Sequence, residues 1–61
     1  MRISEQRLRE IWCQLNRYQV PKEFVGQLNE DAWDLPKCLG MMAVIEALIG
    51  KSACLEEWNK P

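Results

Sequence analysis

Residues 36–50, PKCLGMMAVIEALIG, constrain this chain more than any other stretch, because Lys37 and Glu46 are their only charged side chains. Pro36 suits the first turn of a helix and Gly50 its end, and Asp34 lies upstream where it can cap. On a helix at 100° per residue, Val44, Leu48, Met41, Ile45, Cys38, Ile49 and Met42 fill one arc of roughly 160°. Gly40, Ala43, Ala47 and Gly50 gather on the other side, with Leu39 between the arcs. A surface helix normally carries an apolar stripe of about 100° and a polar back. This one has almost no polar back. The bulky arc can fill a core, and the small-residue arc lets another backbone approach closely. A bilayer span is excluded, since the run falls short of the ~20 apolar residues needed and contains Glu46.

Length then limits how that surface can be covered. At 61 residues the chain reads as a single helical domain over 1–61. A chain of this size buries only ~60% of its unfolded surface. Small domains compensate with disulfides, a metal or oligomerisation. Three cysteines, Cys13, Cys38 and Cys54, are an odd and widely spaced set, which argues against a disulfide framework. With no histidine and no C-x-x-C motif, a zinc site lacks its ligands. No metal and no cofactor is expected, and oligomerisation remains. The opening MRISEQRLRE has no apolar signal core, so free thiols and a cytoplasmic location are expected.

Taken in order, Ser4 is placed to cap a first helix, with Ile3 and Leu8 as a hydrophobic staple across the cap. Leu8, Ile11, Trp12, Leu15 and Tyr18 recur at helical spacing, which predicts an amphipathic helix over 5–18 with Cys13, Gln6 and Arg17 facing away. Glu5 and Arg9 form a favourable i, i+4 pair. Pro21 ends this run or opens the next helix. Phe24, Val25 and Leu28 outline a short second helix that Gly26 weakens. Asn29-Glu30-Asp31 supply turn chemistry, and Trp33 and Leu35 tuck the connection against the core. After a break at Gly50, Ser52 is expected to cap a last short helix bearing Leu55 and Trp58.

Chemistry is conspicuous by absence. Without histidine no Ser-His or Cys-His pair forms, no glycine-rich phosphate loop occurs, and the paired acids Glu30-Asp31 and Glu56-Glu57 point to different helix faces. The chain is not expected to be an enzyme. Charge is uneven, with a net +3 over residues 1–22 and −4 over 23–61, giving −1. Arg2, Arg7, Arg9 and Arg17 could track phosphates, yet Arg7, Arg9 and Arg17 lie about 80° or more apart around the helix and make no single stripe.

The RLREIWCQLNRYQVPKEF opening, the scattered cysteines and the LEEWNKP ending together resemble the small accessory proteins encoded in the early regions of lambdoid bacteriophages. That resemblance implies a regulatory protein acting by binding host or phage proteins, and it assigns no role to any residue. The expected fold is all-α, a small bundle of three or four helices around a central apolar helix, with dimer formation through its surplus surface. Met41, Met42, Val44, Ile45, Leu48 and Ile49 are the candidates for core and interface. Trp12, Trp33 and Trp58 are candidate anchors for a protein partner. Nucleic-acid binding by Arg2, Arg7, Arg9 and Arg17 is the alternative.

Overall fold

A computed structural model describes residues 3–25 and 35–60, with only the backbone of Leu35. Among these residues the fold is all-α: α1 (Glu5–Asn16), a single 3-10 turn (Lys22–Phe24), α2 (Leu35–Ile49) and α3 (Lys51–Trp58). Each of the three α-helices packs on the other two. No single described helix is long and apolar enough to cross a membrane, and α2 and α3 pass that test only as a pair bent by 111°.

Helix α1 begins as its sequence requires. Ser4 sits in extended backbone and its Oγ accepts the amide of Arg7 at 3.1 Å, satisfying one of the amides a helix start leaves unpaired. Ile3 and Leu8, half-buried, both pack against the core. Its end differs from expectation. The helix stops at Asn16, and Tyr18 adopts φ 60° and stands 70% exposed instead of extending the apolar face. The amides of Tyr18 and Gln19 return to the carbonyls of Leu15 and Gln14 at 3.0 and 2.9 Å. This is a Schellman closure, which puts the residue after the cap in the left-handed region.

Half of the core comes from α1. Ile11, Trp12, Cys13 and Leu15 are buried together with Cys38, Met42 and Ile45 of α2 and Cys54 of α3. Cys13, expected to face away, is buried because α3 covers that side of α1. One stripe of α1 therefore becomes two, the Ile11–Leu15 face toward α2 and the Cys13 flank toward α3. All three thiols are free and buried, and burial pushes those of Cys13 and Cys54 upward in pKa.

In place of the expected second helix, the described residues hold only the turn at Lys22–Phe24. Pro21 precedes it and is itself buried, Phe24 packs on the core, and Val25 is exposed. Leu28, the Asn29–Asp31 turn, Trp33 and the Asp34 cap lie outside the described residues. The break at Gly50 is present, with φ 90° and ψ 140°. Ser52 does not cap α3, as had been expected. Gly50 occupies the cap position, and its carbonyl receives the amide of Cys54, which places Ser52 inside the first turn.

Candidate functional site

Helix α2 separates the six residues that the sequence left undivided. Met42 and Ile45 are buried, Met41 and Ile49 are half-buried against the core, and Val44 and Leu48 stand in solvent at 53% and 67% exposure. Leu39, at 54%, joins them, as do Gly40, Ala43 and Ala47. The line between buried and exposed thus cuts through the bulky arc rather than between the bulky and small arcs. From Leu39 to Leu48, six uncharged residues, Leu39, Gly40, Ala43, Val44, Ala47 and Leu48, form one exposed face of the helix, with exposed Lys37 at its N-terminal end. Leu55 of α3 is a further exposed leucine.

Glu46 marks the edge of the buried side. Its Oε2 accepts the indole N–H of Trp12 at 3.3 Å. An acid that seemed only to interrupt an apolar run is therefore the partner of a buried donor on the facing helix. Tryptophan N–H is a donor only, and a buried Trp12 without Glu46 would be left unsatisfied. The pairing was hidden because it joins residues 34 positions apart.

The tryptophans divide as well. Trp12, 4% exposed, is a core residue and not an anchor for a partner. Trp58 is half-buried, meets Trp12 edge-on with ring centroids 6.3 Å apart, and carries the guanidinium of Arg17 at 4.6 Å from its ring centroid. Trp33 lies outside the described residues.

Electrostatics on the opposite side of α1 is largely internal. Arg7 donates from Nε and Nη2 to both oxygens of Glu23, at 2.5 and 2.7 Å, and also reaches Glu10 at 3.3 Å. The Arg7 hydrogen bond holds the Glu23 carboxyl at about 2, and Glu23 and Glu10 push the Arg7 guanidinium well above its ordinary value. This fork fastens the turn after Pro21 to α1. Arg9 pairs with Glu5 at 3.4 Å, as the spacing predicts. Gln6 and Lys60 both hold Glu57, at 3.2 Å each, and lower its pKa, Gln6 more than Lys60.

Between α1 and the end of α3 lies an open cleft of about 350 Å³ lined by Arg7, Glu10, Gln14, Arg17, Glu57 and Lys60. Two of its cations meet acids of the same cleft, Arg7 with Glu10 and Lys60 with Glu57. The arginines proposed for phosphate contact thus divide between carboxylates (Arg7, Arg9) and an indole face (Arg17), with Arg2 outside the described residues. Among the described residues no group of three or more His, Cys, Asp or Glu side chains is placed to hold a metal. No protein-family model, curated protein or solved structure matches this chain.

Proposed function

We propose that this protein is a non-catalytic helical binding module whose working surface is the exposed face of α2, and that a second copy of the chain occupies it. The observation that carries the reading is the unbroken uncharged face from Leu39 to Leu48, with Val44 and Leu48 more than half exposed. Contiguous apolar patches of this kind on small domains mark interaction sites. Between Leu39 and Leu48 nothing charged lies inside the face, so the partner's contact surface there is apolar too, with Lys37 at one end of it. The face is also self-complementary in size. Leu39, Val44 and Leu48 project, while Gly40, Ala43 and Ala47 leave hollows, and nothing lies within 4 Å of where a Cβ on Gly40 would stand. In a two-fold pairing each surface meets its own copy, so leucines of one helix enter the hollows of the other. Paired in this way, α2 would occupy the middle of the assembly, a position that α1 holds within one chain.

The expected strength follows from the area on offer. The exposed fractions of Leu39, Val44 and Leu48 amount to fewer than two whole side chains per chain. Full burial of such a side chain stabilises by about 1.5–3 kcal/mol, so two copies gain roughly 5–10 kcal/mol. Association costs ~4 kcal/mol or more in lost freedom, which leaves at most roughly 6 kcal/mol and puts self-association at about millimolar, no tighter than tens of micromolar. A weak dimer suits a regulatory protein that exchanges its own copy for a host or phage protein with a similar apolar helix, the role that its overall resemblance implies.

Sedimentation equilibrium in reductant, carried to millimolar concentration, tests the reading. Wild type should reach a dimer, and Leu48→Glu should stay folded and monomeric because Leu48 already lies in solvent. Ile45→Glu is no substitute for it, since Ile45 is buried and the charge would unfold the chain. A Leu48→Glu protein that dimerises like wild type would overturn the reading.

A further inference from the structure

We propose that Gly50 is the hinge of an exchange, in which α3 leaves its own α1 and docks on the α1 of a second copy. The proposal rests on the reading that the chain self-associates, and adds how two copies become interlocked.

One residue separates the two helices, α2 ending at Ile49 and α3 beginning at Lys51. The helical hydrogen-bond pattern survives on both sides of it. The Gly50 amide bonds to Glu46 O at 2.8 Å, and the Cys54 amide to Gly50 O at 3.4 Å. Both have the i to i−4 spacing of an α-helix, so the 111° bend interrupts the ladder only at the amides of residues 51–53. Rotation about the backbone of this single residue converts α2 and α3 into one helix over 35–58. Gly50 alone holds the bend, at φ 90° and ψ 140°, a conformation that residues with a side chain rarely adopt. A Cβ there would touch nothing within 4 Å. Backbone preference and not crowding therefore decides between bent and straight.

Straightening removes α3 from its own chain and leaves a vacancy. Cys54, fully buried, and Trp58, packed edge-on against Trp12, are the side chains α3 brings to the core. The α3 of a second straightened chain restores them, which is the ordinary logic of domain swapping. The straight helix also gains a longer apolar seam. At 100° per residue, Leu55 falls between Val44 and Leu48 within an arc of about 40°, so the line of exposed apolar side chains continues onto α3, with Lys51 flanking it.

The Trp12–Trp58 contact reports which chain supplies α3. Gly50→Ala removes the hinge without a clash, and its dimer should form at concentrations at least tenfold below those wild type needs. In a mixture of isotope-labelled and unlabelled Gly50→Ala chains, filtered nuclear Overhauser effects should connect Trp12 of one chain to Trp58 of another. Wild type unfolded and refolded at millimolar concentration should show the same interchain contact, which guards against a variant that fails to fold. A dimer whose Trp12–Trp58 contact stays within each chain overturns the exchange and leaves pairing through α2 standing. Failure of both proteins to dimerise overturns both. If Gly50→Ala unfolds at every concentration, and refolded wild type shows no interchain contact, the exchange is likewise overturned.

Discussion

Helices α1 and α2 face each other across the core and use opposite strategies. Helix α1 is amphipathic, and two of its flanks are covered within the chain, by α2 and α3. Helix α2 is apolar nearly all round, yet among its described side chains only Cys38, Met42 and Ile45 are buried. A polar residue inside the core of one copy would be costly, so α1 had to be patterned. An apolar residue outside the core costs the folded chain little, so nothing in a single copy explains why α2 lacks a polar back. The comparison teaches that hydrophobicity alone does not locate a core. The helix richest in apolar residues is the one left half uncovered.

Truncations on the two helices should therefore differ sharply. Ile11→Ala or Leu15→Ala removes a fully buried α1 side chain and should cost ~2–5 kcal/mol, enough to unfold a domain this small. Leu48→Ala or Val44→Ala should change the stability of the monomer by no more than about 0.5 kcal/mol. Urea melts at low micromolar concentration, where the proposed dimer is dissociated, make the comparison. Equal losses on both helices would break it.

The bridge between the helices comes next in size. Glu46→Ala leaves the Trp12 indole N–H buried without its acceptor and should cost ~1–3 kcal/mol. Trp12→Phe alone removes the donor, and Glu46→Ala added to it should cost less than on wild type. A double-mutant cycle on thermal midpoints reads this coupling, and additivity would show that the bond contributes nothing.

Much of this was legible before the structure. The Ser4 cap, the Ile3–Leu8 staple, the Glu5–Arg9 pair and the break at Gly50 depend on neighbours in sequence, and local chemistry sets them. Cys13 was misread because a helical wheel assumes one covered face, and α1 has two. Tyr18 fits the apolar period, but the period does not reveal where a helix closes. Ser52 is a good capping residue in an unusable position, since the turn at Gly50 already supplies the cap. The fork from Arg7 to Glu23 and the bond from Trp12 to Glu46 join distant residues, so no local pattern announces them. On α2, composition revealed a surplus of apolar surface, but only the placement of α1 and α3 shows that Val44 and Leu48, not Ile45, carry it.

Closure of α1 offers a smaller test. Tyr18 holds a left-handed conformation that costs a residue with a side chain roughly 1 kcal/mol relative to glycine. Being 70% exposed, it has little packing to lose. Tyr18→Gly should therefore stabilise the fold by up to ~1 kcal/mol, read as a raised melting temperature. A lowered one would mean that Tyr18 packs in a way its exposure conceals.

Acid should loosen α1 from the turn after Pro21 more than it affects α2. The Glu23 carboxyl is held at about 2 against an ordinary value of 4.5. A depressed carboxyl lends stability that is fully present above its unfolded value and disappears as pH falls toward the folded one. The loss should therefore run from about pH 4.5 down to about pH 2. Thermal midpoints over that range should fall less steeply for Glu23→Gln than for wild type, and identical slopes would remove the fork from the account.

The central claim is that one half of α2 lies in solvent until a second copy covers it, while α1 is buried from the start. Methyl-resolved relaxation by a soluble paramagnetic probe, measured from micromolar to millimolar protein, tests it directly. The account predicts that Leu39, Val44 and Leu48 methyls are strongly broadened when dilute and become protected together as concentration rises, with Ile11 and Leu15 protected throughout. Methyls of Val44 and Leu48 that stay equally exposed at every concentration would contradict it.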